Sequence, residues 1–153
     1  FIAPMLEATK ANTTLGGKVY GLPHIWGTDG LVVNTRTAKM ADYADLCKPE
    51  YKGKTAVRLK RPTLLAFAFA AGKNPFALYG DAKAYTALMD EVGKTIAACK
   101  PNLKFFWDNK DQLLNGMRAG EIVGAMMWDT GGWKLNNENA DIQFIAPKSG
   151  AMG

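Results

Sequence analysis

Gly17-Lys18-Val19-Tyr20-Gly21-Leu22-Pro23-His24-Ile25-Trp26-Gly27-Thr28-Asp29-Gly30-Leu31-Val32-Val33-Asn34 is the stretch that decides how this chain folds. It predicts a turn, a short strand, a crossing broken by Gly and Pro, and then a buried strand from Leu31 to Val33. Gly16, Gly17 and Gly21 admit backbone angles that residues with a Cβ resist. Pro23 withholds a ladder donor and argues against one continuous central strand. An extended but broken segment, with Trp26, Thr28 and Asp29 set around Gly27 and Gly30, suits close approach by a ligand or another backbone. A β-bulge on an ordinary sheet accounts for the same residues, and the stretch alone favours the bulge.

Outward from it, strand-like and helix-like segments alternate. Ala3 to Ala11 reads as a frayed helix, Thr35 to Met40 as a helical turn, and Asp42 as the cap of a short helix through Leu46. Pro49 to Gly53 turns the chain into a strand at Thr55–Arg58. Pro62 suits a first helical turn, and an apolar helix over Thr63–Ala71 ends at Gly72. Asp81 caps a helix to about Ala98, with Tyr85, Leu88, Met89, Val92 and Ile96 at helical spacing. A strand at Leu103–Trp107, a helix at Lys110–Ala119 and an apolar strand at Ile122–Trp128 follow. A helix at Gly132–Glu138 and a strand at Ile142–Ala146 complete the order. Such alternation predicts an α/β three-layer sandwich with a mixed, largely parallel sheet. Ligands then bind beyond the carboxyl ends of the strands, which places the loops Arg58–Thr63, Trp107–Asp111 and Trp128–Gly132 side by side.

At 153 residues, with 19 basic against 14 acidic side chains, this is one domain of mild net charge, +5. The basic residues are dispersed except near 58–61, and no stripe of cations interleaved with aromatics supports nucleic acid as a partner. The longest apolar run, Leu64–Ala71, is far too short for a membrane span. A single His and no Cys-x-x-Cys make a zinc site improbable. No Ser-His-Asp order, phosphate loop or paired-carboxylate spacing marks an enzyme. Cys47 and Cys99 bridge in an oxidising compartment, or sit as buried thiols in a reducing one.

Four stretches taken in order resemble family 1 extracellular solute-binding proteins, more narrowly the spermidine/putrescine-binding group of ABC-transporter receptors. They are the Gly17–Asn34 crossing, Tyr51-Lys52-Gly53-Lys54, Ala119-Gly120-Glu121 with Met126-Met127-Trp128, and Asp141 to Gly150. Together they span nearly the whole chain. The resemblance implies one lobe (residues 1–153) of a two-lobe, type II periplasmic receptor, with hinge crossings near 20–30 and 144–150 to a missing first lobe. It implies a small-molecule solute, an ABC transporter permease as partner, a periplasmic or extracellular membrane-associated location, and neither cofactor nor catalysis. Phe1 is not a translation start, and the family's chain continues past Gly150, so the sequence is expected to be a piece of a longer one. An isolated lobe is expected to expose its cleft face and to self-associate.

Candidate ligand contacts are Trp26, Thr28, Asp29, Lys60, Arg61, Thr63, Asp111, Trp128 and Asp129. By the resemblance, Trp128 is the aromatic wall that packs on ligand methylenes; as a residue alone it is better read as a core Trp, and Trp26 and Trp107 carry the same two readings. Asp129 and Asp111 either cap helices or offer carboxylates to an amine. In polyamine-binding relatives the strand-to-helix loop carries acidic residues, and aligned on Tyr51-Lys52-Gly53 those positions here are Lys60 and Thr63. Lys60 and Arg61 at a helix start make an anion site, or point to solvent. The ligand is thus either polyamine-like or an organic anion that also carries an amine. A basic nucleic-acid-binding module is the alternative from another class.

Overall fold

The computed structural model describes residues 2–150. It opens with α1 (Ala3–Thr13), a helix with no buried residue, and a small hairpin of β1 (Thr14–Leu15) and β2 (Lys18–Val19). Gly16 and Gly17 both take positive φ, 57° and 77°, as a two-residue hairpin turn requires. The chain then crosses, extended and largely exposed, to β3 (Asp29–Asn34). Short 3-10 turns at Tyr43–Cys47 and Pro49–Tyr51 lead to β4 (Thr55–Arg58) and α2 (Arg61–Ala70). A third 3-10 turn, Pro75–Leu78, precedes α3 (Ala82–Cys99), and a fourth, Lys100–Asn102, precedes β5 (Phe105–Trp107). Then come α4 (Lys110–Arg118), β6 (Gly124–Trp128), α5 (Asp129–Glu138) and β7 (Ile142–Ile145).

The larger sheet has the order β5-β4-β6-β3-β7. β4 pairs in parallel with β5 and β6, while β3 runs antiparallel to both of its neighbours, β6 and β7. Four strands therefore share one direction and β3 opposes them, which is the mixed, largely parallel sheet expected. One apolar layer joins Leu31, Val33 and Val57 to Ala66 and Phe67 of α2 and Leu88 and Val92 of α3. The other joins Val32, Ala56 and Ala125 to Leu113, Leu114 and Met117 of α4 and Leu135 of α5. Successive strand residues face opposite layers, so a central strand buried on both sides must be apolar throughout; β6 is buried from Gly124 to Met127.

Capping follows the local chemistry. Asp42 accepts from the Tyr43 N–H, Asp81 from the Ala84 N–H and Asn109 from the Asp111 N–H, each satisfying an orphan donor of a helix start. Gly72 and Gly120 end α2 and α4 at φ 72°. Several boundaries differ from expectation, among them the start of α2 at Arg61 rather than Thr63 and of β6 at Gly124 rather than Ile122. α5 begins at Asp129, not Gly132, and carries both glycines within it; a Cβ at Gly132 would meet Phe144 and Val32 of the sheet at 2.9–3.0 Å. Glycines that weaken an isolated helix are what let this one lie against the sheet. β5 is shorter than the apolar run 103–107, since Leu103 still belongs to the turn that closes on Lys100. Cys47 and Cys99 are bonded to each other, tying the turn at Tyr43–Cys47 to the end of α3.

Candidate functional site

Because β3 opposes its neighbours, its first residue lies at the same sheet edge as the last residues of β4, β5 and β6. Register puts Asp29 opposite Trp128 and Arg58 opposite Trp107. Three apolar strands thus end in an Arg and two Trp, with the carboxylate of a fourth strand among them.

Trp107 is fully buried; its indole Nε1 donates to the Met126 carbonyl at 2.9 Å, and its ring stands edge-on to Trp128 with centroids 5.3 Å apart. Trp128 is half-buried. The Arg58 guanidinium lies over its ring at 4.3 Å, and 5.7 Å from the centroid of Trp107. Arg58 Nη1 reaches Asp29 Oδ2 at 3.3 Å, and both side chains are largely buried, 19% and 11% exposed. The Tyr43 hydroxyl donates to the Asp29 carbonyl at 2.9 Å and fixes the strand start. Asp29 Oδ1 is buried without a hydrogen-bond partner. Burial pushes the Asp29 carboxyl above the usual carboxylate range; Arg58 draws it back down and the nearby charge of Asp129 adds to the rise.

Asp129 sits in the first turn of α5, where a carboxylate meets the positive end of the helix. Its Oδ2 accepts from the Thr28 N–H at 3.0 Å and the Thr28 hydroxyl at 3.4 Å, and its Oδ1 from the Thr130 N–H at 2.6 Å. A Cβ at Gly27 would come within 3.1 Å of that carboxylate, so glycine permits the approach. Asp129 therefore latches the exposed crossing to the sheet edge.

A cleft of about 410 Å³ opens at this edge, lined by Ile25, Trp26, Thr28, Asp29, Trp128 and Asp129 together with Gly27 and Thr130. It combines apolar and aromatic walls with two carboxylates, the composition of a small-ligand site. A groove of about 370 Å³ beside the disulfide has no charged residue in its lining.

Five of the nine candidate contacts, Trp26, Thr28, Asp29, Trp128 and Asp129, share the cleft. The other four lie outside its lining. Lys60 pairs with Asp108 at 3.0 Å on the rim beyond β4 and β5, and Arg61 donates to the Tyr79 hydroxyl on the α3 side. The Thr63 hydroxyl is buried and donates back to the Arg58 carbonyl. Asp111 is exposed in the first turn of α4. Arg58 was not among the candidates, although a cation closing the short apolar strand 55–58 was the signal that could have found it. With Arg58 on Asp29, Lys60 on Asp108 and Arg61 on Tyr79, the basic loop is not a row of unengaged cations. Among the described residues no group of three or more His, Cys, Asp or Glu is placed to hold a metal ion, and no helix is long and apolar enough to cross a membrane.

The sequence model described as bacterial extracellular solute-binding protein matches residues 2–152. The spermidine/putrescine-binding periplasmic protein of Escherichia coli (strain K12) is 28% identical over 137 residues, which are 87% of this chain and 37% of that protein. Spermidine/putrescine-binding periplasmic protein 1 of Haemophilus influenzae is 27% identical over 142 residues, 89% of this chain and again 37% of the relative. The chain thus spans little more than a third of the curated relatives it matches. An ABC transporter structure from Clostridium perfringens superposes with TM-score 0.73 at 23% identity, over 97% of this chain and 45% of that one. A spermidine/putrescine ABC transporter substrate-binding protein from Streptococcus pneumoniae gives TM-score 0.71 at 19% identity, over 87% of this chain and 40% of that one. At those identities the two structures show a shared fold.

Proposed function

Since this chain belongs to the bacterial extracellular solute-binding protein family, we propose that it is the second, ligand-facing lobe of a two-lobe receptor that delivers a small charged organic solute to an ABC transporter permease. The lobe holds that solute through an ammonium group, as a polyamine or a related amine would present. The crossings near 20–30 and 144–150 lead to a first lobe, whose face closes over the cleft. The family is one of solute-binding proteins rather than enzymes, and an extracellular one.

One observation carries the ligand class. Asp29, whose Oδ1 is buried and without a donor, lines the same cleft as Trp26, Trp128 and Asp129. A buried carboxylate oxygen left unpaired is costly. An ammonium supplies both the missing donor and the opposite charge, while an indole face accepts its methylenes and its cation. Counting Asp29, Asp129 and Arg58, the edge carries one net negative charge.

Calorimetry on the full-length receptor tests this with putrescine and spermidine. Binding should weaken at least tenfold, about 1.4 kcal/mol, in Asp29→Asn, with the fold intact by circular dichroism. Binding that Asp29→Asn leaves unchanged, or a wild type that binds no amine, would remove the ammonium from the proposal. Mass spectrometry of small molecules released from the denatured receptor would then name the true class. A second reading, an organic anion that also carries an amine, is favoured by the Arg58 guanidinium at the same sheet edge.

A further inference from the structure

We propose that Arg58 is a specificity-determining residue: a cation built into the protein that fills one ammonium position at the sheet edge. It thereby favours, among amines, a ligand with one ammonium and a hydrogen-bond acceptor at its other end over a ligand with an ammonium at both ends. This deepens the amine assignment above and rests on it.

The guanidinium has what an amine ligand would seek, an indole face at 4.3 Å and a carboxylate oxygen at 3.3 Å. Hydrogen bonds to the peptide that follows Arg58 fix the backbone from which it projects. The Arg58 carbonyl accepts from the Thr63 hydroxyl, and the next amide, Leu59 N–H, donates to the Trp107 carbonyl at 2.7 Å. Asp29 Oδ2 and the Trp128 face under the guanidinium are therefore taken, and of the Asp29 carboxylate only the buried Oδ1 is without a partner.

An ammonium on Oδ1 sits within about 8 Å of the guanidinium, less than a Debye length at low salt and about equal to it under physiological conditions. Its attraction to Asp29 is partly offset by that positive charge. A second ammonium on the same short ligand would meet Arg58 with its carboxylate already shared. Of the five N–H donors of an Arg fork, the one on Asp29 makes the only hydrogen bond of this guanidinium among the described residues. The rest suit a carboxylate or carbonyl. Lys60, also on the rim, is paired with Asp108 and so adds no net charge to that side.

The test uses two probes of equal carbon spacing that differ at one end, γ-aminobutyrate and putrescine, with calorimetry on the full-length receptor. Wild type should bind γ-aminobutyrate about tenfold or more tighter than putrescine. Arg58→Gln should invert the order, with putrescine gaining and γ-aminobutyrate losing about tenfold each, and Arg58→Lys should keep the wild-type order. Circular dichroism checks each fold, and Arg58→Met replaces Arg58→Gln if that variant is unfolded. Putrescine bound more tightly by wild type, with a ratio that neither neutral variant moves, overturns the role of Arg58 and leaves the amine assignment standing. So does Arg58→Lys inverting as the neutral variants do. Binding of neither probe by any of these proteins overturns both.

Discussion

Replacing Arg58 by Met tests the electrostatics of the sheet edge without any ligand. Met fills much of the same volume beside Trp107 and Trp128 but withdraws the charge that faces Asp29. Breaking a buried ion pair by deleting one partner costs about 3–5 kcal/mol. Arg58 is about a fifth exposed, so a total nearer ~3 kcal/mol at neutral pH is expected. Of this, ~1 kcal/mol is lost cation–π attraction and packing, which do not depend on pH. The remainder is the ionised Asp29 left without its partner.

Burial already holds the folded-state pKa of Asp29 above the ordinary value, and losing Arg58 raises it further. A carboxyl whose folded pKa exceeds its unfolded one incurs no penalty while protonated in both states. The penalty grows as pH rises above the unfolded value and is complete above the folded pKa. The deficit of Arg58→Met should therefore shrink to ~1 kcal/mol near pH 4 and approach ~3 kcal/mol at pH 7. Other carboxylates shift oppositely. Asp45, despite partial burial, is held low by the Ala41 and Asp42 amides and Lys48, and Glu121 and Glu138 by Lys104 and Arg118. They destabilise wild type and variant alike on acidification and cancel in the difference. Urea denaturation of both proteins from pH 4 to pH 7 reads the difference directly. A deficit independent of pH, or one that grows on acidification, would refute the charge argument. Asp29→Asn in the Arg58→Met background should remove the pH dependence.

Asp129→Ala removes three acceptor contacts that join Thr28 and Thr130 to the sheet edge, and should cost about 1–2 kcal/mol. Faster amide exchange at Thr28 should accompany it; an unchanged rate there would mean the crossing is held elsewhere. Reducing Cys47–Cys99, 52 residues apart, should remove about 4 kcal/mol in the chain-entropy account and lower Tm by roughly 10 °C. A melt unaltered by reductant, with both thiols titrated, would refute it. Leu15, Val19, Tyr20, Leu22, Ile25 and Trp26 are all exposed near the crossing, so this chain by itself should self-associate through that face. Light scattering that finds only monomer across a concentration series would count against this.

The sequence by itself determined what acts over a few residues. Apolar periodicity located the Thr55–Arg58 strand and the inward face of α3, and Asp42, Asp81, Gly72 and Gly120 marked helix ends through hydrogen bonds to their own neighbours. The alternation of elements was enough to predict a largely parallel α/β sheet. The tertiary structure alone decided which side chains meet there. Asp29 reaches Arg58 only because β3 enters the sheet backwards between β6 and β7, and no local pattern encodes that strand order. Trp107 and Trp128 look alike in sequence, yet one is sealed in the core and the other walls the cleft. Lys60 reads as a free cation until Asp108, on the neighbouring strand's loop, is brought beside it. Gly131 and Gly132 argue against a helix by propensity, and helix–sheet packing overrides them. Caps and turns are local hydrogen-bond problems that a short segment solves alone. Charge pairing and burial are set by contacts between residues distant in the chain, and these exist only once the sheet has assembled.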